Sequence, residues 1–272
     1  MDIFKESKKR IIIAAHRGVS GGNIPCNTTA AYESALLQGA DMIEIDANMS
    51  ADGTLYIFHP EMEKSHLNKD VHIPELHDEE IEKLRYCNFD REETQFGLCT
   101  MEEVFKRFRG RCFINVDKFL NYPEKISELI RKYDMADQII VKTYPMTEMW
   151  DIMDNYPEIA YLPIIKKPNG VHEMLMKRKL RYVGAEVVFT DENDGVGSKE
   201  YIEKLHADGK IVWANAIVYD YKVQLAAGHS DDVSVTGEPE KGWGWLADRG
   251  YDIIQTDWTL ALKTYLEKTG RR

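Results

Sequence analysis

Ile11-Ile12-Ile13-Ala14-Ala15-His16-Arg17-Gly18 begins a pattern that Met42-Ile43-Glu44-Ile45-Asp46 and Thr54-Leu55-Tyr56-Ile57-Phe58-His59 complete. The first run is apolar until a histidine and an arginine halt it, the pattern of a buried strand that delivers both to its end. Along the second run side chains alternate faces, so Glu44 and Asp46 point the same way, as two oxygen ligands of one hard cation must. Asp52-Gly53 is a hairpin signal, so the run ending at His59 returns antiparallel to the second and comes roughly level with Asp46. Two imidazoles, a guanidinium and two carboxylates then meet at one patch, a set suited to acid–base work around a metal-held anion.

From Met101 onward, helix and strand alternate. Strand-like runs occur at 112–116, 138–142, 160–165, 183–189, 211–216 and 252–255, with helical segments near 123–133, 147–155, 171–180, 198–207, 221–227, 242–249 and 258–268. With the strands at 11–15 and 42–47 these make eight parallel candidates, which predicts an α/β TIM (β/α)8 barrel with an insertion after the second strand and its hairpin, although periodicity alone also admits a doubly wound sheet. The charged, irregular stretch Pro60 to Gln95 is expected to stand above the barrel as a lid or substrate-selecting excursion. One domain over residues 1–272, with a small insertion at about 60–100, is the expected organisation.

At this level the chain resembles a known family. His16-Arg17-Gly18, Pro25-Cys26-Asn27-Thr28, Gly39-Ala40-Asp41-Met42-Ile43-Glu44-Ile45-Asp46, and Asp52-Gly53 leading to His59 look like the opening signature of the glycerophosphodiester phosphodiesterases. The likeness resumes at Thr100-Met101-Glu102-Glu103-Val104 and Asn115-Val116-Asp117, then at Val212-Trp213-Ala214-Asn215 and Gly250-Tyr251-Asp252-Ile253-Ile254-Gln255-Thr256-Asp257. The resemblance implies a metal-dependent phosphodiesterase that converts a glycerophosphodiester or related small-molecule phosphodiester to an alcohol and a phosphomonoester. It makes Asp117 the third acidic metal ligand beside Glu44 and Asp46. Oxygen ligands favour one divalent cation, Mg2+ or Ca2+. His16 and His59 would share proton transfer, and Arg17 would contact the phosphate.

The sequence departs from the family at three points. Cys26 stands where glutamate is usual, Pro60 follows His59 where aspartate is common, and Phe119 occupies the position of a lysine, with Lys118 one place early and on the opposite face. Lys142, among apolar neighbours at the end of its strand, would supply the missing positive charge to the substrate phosphate. These departures leave room for a lysophospholipid or sugar-linked substrate. A second class of reading is a non-catalytic barrel that binds a phosphorylated metabolite or a partner.

Other residues carry more local expectations. Glu186, inside an apolar run, is either paired with an inward base or at the rim, and Trp213 either packs or forms a stacking platform in the substrate pocket. His66, His72 and His77 are expected to face solvent, and His229, Asp231 and Asp232 to lie in a capped surface loop. Asn27 is placed as the cap of a helix over 28–38, and Asp257 as the cap of the last helix. Gly21-Gly22 reads equally as a flexible turn or as a phosphate approach.

The four cysteines show neither metal nor redox spacing and are taken as reduced. A net charge of −11 argues against a general nucleic-acid or anionic-membrane binder. No apolar run reaches the ~20 residues a membrane span needs, and the N-terminus lacks the apolar core of a signal peptide, so no stable membrane insertion and a cytoplasmic location are expected. Nothing in the residues speaks to oligomeric state.

Overall fold

The computed structural model describes residues 1–193 and 195–272. Eight parallel strands close on themselves: β1 (Ile12–Ala15), β2 (Met42–Met49), β4 (Phe113–Asp117), β5 (Ile139–Thr143), β6 (Ala160–Ile165), β8 (Gly184–Val187), β9 (Ile211–Asn215) and β10 (Ile253–Thr256). β1 pairs with both β2 and β10, which shuts the ring into a TIM barrel. β3 (Leu55–Ile57) lies outside it as the antiparallel hairpin partner of β2, and β7 (Arg181–Tyr182) is a two-residue strand pairing with β6.

Alternation along these strands builds two different ends. One parity points inward, and at the N-terminal end it is apolar: Ile12, Ala14, Met42, Phe113, Ile140, Leu162, Ile211, Trp213 and Ile253 form one buried cluster. A short helix, Ile3–Ser7, closes this end with Ile3 in the same cluster. Continuing the same parity two residues up each strand gives Glu44 and Asp46 on β2, Asn115 and Asp117 on β4, Lys142 on β5, Glu186 on β8, Asn215 on β9 and Gln255 on β10. The barrel is therefore filled with hydrocarbon below and with paired polar groups above, the usual division between stability and chemistry in this architecture. The other parity meets the helices in a single large core.

The excursion after β3 is not structureless. Single helical turns at Glu63–His66 and Asp78–Ile81 enclose a satellite core of Tyr56, Phe58, Leu67, Ile73, Ile81 and Tyr86. Most of its charge sits outside, with Glu63 buried and accepting from the Ile73 N–H, where the chain's irregular polarity had suggested a loop. Residues 221–227 form turns rather than the expected helix, and the helix after β9 is instead Asp231–Val235, followed by Glu240–Gly244 and Trp245–Arg249. The stretch 221–227 lacks an apolar face long enough to cover the barrel, so a later segment does so. The helix near 171–180 is shorter than its periodicity suggests, Val171–Leu175.

Candidate active site

Register decides which side chains become neighbours. Asp46 pairs with Asp117 across β2 and β4, and Glu44 with Asn115. Side chains of register partners in a parallel sheet share a face. Oxygens of Glu44, Asp46 and Asp117 lie within 4.8 Å of one another, and no other such group of His, Cys, Asp and Glu occurs among the described residues. Asp46 Oδ1 is buried without a hydrogen-bond partner. An all-carboxylate set with an unsatisfied inward oxygen fits a hard divalent cation and not zinc.

Arg17 and its neighbours complete this wall. The Arg17 backbone N–H donates to Glu44 Oε2 at 2.9 Å, and its Nε lies 3.0 Å from Asp46 Oδ2. Both Arg17 and Asn27 adopt left-handed backbone (φ 56°), a cost of about 1–2 kcal/mol each that a site must hold in place. That twist explains the failure of the expected cap: Thr28 caps the helix Thr29–Leu37, while Asn27 donates from Nδ2 to Asp46 Oδ2 at 2.8 Å and accepts from the Tyr32 hydroxyl. Lys118 is likewise left-handed (φ 57°), which swings it away from the expected opposite face. Its Nζ sits 2.9 Å from Asp117 Oδ2 and 3.9 Å from Asp46 Oδ1.

Charge follows from these placements. Burial, then the charge of Asp46, raises the Glu44 pKa above the usual carboxylate value. Burial opposes ionisation of Asp117 too, but Lys142 and Lys118 outweigh it and hold that pKa down.

The two histidines differ in environment. Extending the β1–β10 register brings His16 beside Asp257, whose Oδ1 lies 2.9 Å from His16 Nδ1. Asp257 is thus a partner of His16 and not the cap of the last helix, where Trp258 precedes Thr259 without a side-chain cap. Burial lowers the His16 pKa, but Asp257, with Glu44, more than compensates and the net shift is upward. His59 Nδ1 lies 2.7 Å from the Pro60 carbonyl, an acceptor only, which puts the ring proton on Nδ1 and leaves Nε2 with its lone pair. Burial, with the charges of Arg17 and Lys118, lowers its pKa.

Opposite the acids, Lys142 is buried with Nζ 2.8 Å from Glu186 Oε2 and 4.8 Å from the centre of the Trp213 ring. Asn215 Nδ2 donates to Glu186 Oε1 at 2.8 Å. Glu186 is therefore paired with an inward base. Trp213 is no part of the pocket wall: it lies one interior layer lower, fully buried, donating from Nε1 to Asn215. His16, Arg17, Asp117, Lys118, Lys142, Glu186, Asn215 and Gln255 share a cavity of about 660 Å³ whose outer walls include Leu120, Tyr144, Phe189 and Tyr219. His59 does not line it, though the charges of Asp46, Arg17 and Lys118 reach its ring.

Two further expectations are corrected. His66 is not at the surface like the exposed His72 and His77. It packs on Phe58 and Tyr86 with Nδ1 4.0 Å from Cys26 Sγ, and burial, then Arg17, lowers its pKa to about 4. Burial raises the Cys26 thiol to about 12, so a neutral pair stands where the family usually has a carboxylate. Asp231 is buried too, not in a surface loop. Asn27, Asp257 and Asp231 escaped the sequence reading because backbone twist and register, not spacing, give them their neighbours.

Residues 161–266 match a family model described as a domain of unknown function. A glycerophosphodiester phosphodiesterase of Bacillus altitudinis is 28% identical over 213 residues, covering 74% of this chain and 83% of that protein. One from Caldanaerobacter subterraneus is 28% identical over 158 residues, covering 55% of this chain and 65%, just under two thirds, of that protein. A glycerophosphoryl diester phosphodiesterase structure from Parabacteroides distasonis superposes with a TM-score of 0.80 over 99% of this chain and 93% of its own at 18% identity. An Oleispira antarctica phosphodiesterase solved with its product sn-glycerol-3-phosphate does so at 0.70 over 98% and 100%, again at 18% identity. These two share the fold and the Bacillus and Caldanaerobacter proteins share sequence, so the chain is similar to glycerophosphodiester phosphodiesterases in both respects.

Proposed function

We propose that the chain hydrolyses a glycerophosphodiester, or a related phosphodiester of a small alcohol, to the alcohol and a phosphomonoester. The observation that carries this reading is the clustering of the three acids, of which Asp117 lines one cavity together with Arg17 and His16, with His59 within electrostatic reach. The Oleispira antarctica phosphodiesterase of the same fold, solved with its product sn-glycerol-3-phosphate, supports a glycerol phosphate moiety in the substrate.

Glu44, Asp46 and Asp117 would hold the divalent cation, Mg2+ or Ca2+, which when bound supplies positive charge to a phosphate oxygen. Arg17 donates to a second oxygen, and Arg17, Lys118 and Lys142 offset the charges of Asp46, Asp117 and Glu186, so that a bound cation and a protonated His16 would leave the mouth positive although the chain carries −11. His59, neutral with a free Nε2, takes the proton of the attacking group. His16, kept protonated by Asp257, gives a proton to the leaving alcohol through Nε2.

The test is release of alcohol from glycerophosphocholine and glycerophosphoinositol with Mg2+, with Ca2+ and with chelator. Chelator-sensitive turnover is expected, and His16→Ala and His59→Ala should each lower it by about two to four powers of ten. Binding of glycerol phosphate with no turnover of any diester would replace this reading by that of a non-catalytic barrel.

A further inference from the structure

Asp231 heads the helix Asp231–Val235, is 2% exposed, and has no part in the chemistry proposed above. Helix capping does not account for it, because Ser230 already accepts from the Val233 N–H. Its carboxylate instead turns to the end of β10. Oδ1 accepts from Thr256 Oγ1 and from Trp243 Nε1, each at 2.7 Å, and Oδ2 accepts from the Asp257 backbone N–H at 2.8 Å. The Asp231 N–H donates to the Ala216 carbonyl at 2.7 Å, which pins the carboxylate to the chain leaving β9.

The two residues so held are the two that hold His16. The Thr256 carbonyl accepts from the His16 N–H at 3.1 Å, and Asp257 Oδ1 lies 2.9 Å from His16 Nδ1. The Asp257 side chain is 50% exposed, so packing does not fix it; its backbone must be fixed from beneath. A dehydrated carboxylate is costly unless fully hydrogen-bonded, and here both oxygens are engaged. We infer that Asp231 is a positioning residue: it fixes the main chain at Thr256 and Asp257 and thereby the tautomer and ring plane of His16. The inference rests on the phosphodiesterase reading only for its kinetic consequence.

Asp231→Asn isolates the link. An amide has one acceptor oxygen, which can keep Trp243 and Thr256, but its NH2 then faces the Asp257 N–H, donor against donor, with little change in volume. Two readouts follow. In 15N-histidine-labelled resting protein, wild type should show the His16 ring proton on Nδ1 as a slowly exchanging, hydrogen-bonded resonance, and Asp231→Asn should lose it. In turnover, Asp231→Asn should lower kcat by about 10–100-fold with KM nearly unchanged, the usual effect of a residue acting through another. Trp243→Phe, which removes a donor but keeps the Asp257 contact, should leave both readouts as in wild type. The double variant Asp231→Asn/Asp257→Asn should be no slower than Asp257→Asn alone.

A folded Asp231→Asn with the wild-type His16 resonance and kcat overturns the inference, as do additive losses in the double variant. If Asp231→Asn does not fold, the wild-type spectrum decides: a His16 proton on Nε2 overturns it. Loss of the resonance in a protein that turns over no diester would uphold the positioning role and sink the phosphodiesterase reading alone.

Discussion

At the scale of single residues, the site is organised by pairs of like groups driven apart. His16 and His59 are both imidazoles near one cavity, yet Asp257 raises one and burial lowers the other. The sign of the pH profile follows. Activity should rise as pH climbs through a value below the ordinary imidazole 6.5, where His59 becomes neutral, and fall above it, where His16 loses its proton. A bell in kcat/KM with a plateau around neutrality is expected, and Asp257→Asn should move the alkaline limb to lower pH. A profile with both limbs unmoved in Asp257→Asn would detach that residue from the acid. Lys142 and Glu186 give a second test. Lys142→Met leaves a buried carboxylate unpaired and should cost about 3–5 kcal/mol, while Lys142→Met/Glu186→Gln should recover most of it, measured by chemical denaturation.

At the scale of elements, three left-handed residues, Arg17 and Lys118 just past strand ends and Asn27 before the helix Thr29–Leu37, turn the chain so that polar side chains fold back over the acids. Gly18 makes the first of these turns possible: it has φ 79°, and a Cβ there would meet the Ala31 backbone at 2.8 Å. Gly18→Ala should destabilise by about 2–4 kcal/mol, combining left-handed strain with overpacking, and should show as a lower Tm. Because the strain falls between Arg17 and the helix Thr29–Leu37, phosphate affinity should weaken with it. The strands themselves were legible as apolar runs, and β6 (Ala160–Ile165) matches its run to the residue. The helix after β9 was not legible, since turns and short helical segments share the same sparse apolar pattern.

At the scale of the molecule, the two barrel ends carry separate duties and should respond separately. Ile3→Ser at the closed end should cost about 1.5–3 kcal/mol of stability with kcat unchanged, a result read from denaturation and turnover of the same sample. At the open end, burial and the charge of Asp46 disfavour an ionised Glu44, a cost that a bound cation would relieve. Added Mg2+ or Ca2+ should raise Tm by the equivalent of about 2.7 kcal/mol at one hundred times the dissociation constant, and Asp117→Asn should abolish the rise. An equal rise in Asp117→Asn would move the third ligand elsewhere.

The eight strand–helix repeats, the acid pair on β2, the hairpin that returns His59 and the strand end that carries His16 were legible in the residues, because each rests on local periodicity or a turn signal; closure of the repeats into a barrel and not a doubly wound sheet rests on the pairing of β1 with β2 and β10. Alternation at a period of two is written into adjacent residues and survives any packing. Tertiary structure alone decided that Lys118 faces the acids, that Trp213 lies beneath Lys142, that Asp257 serves His16, and that Asp231 holds Asp257. Those facts depend on register between strands far apart in the chain and on left-handed backbone at single residues. Neither leaves a period to read, and the register that sets Asp257 beside His16 exists only once the closing of the ring brings β1 against β10.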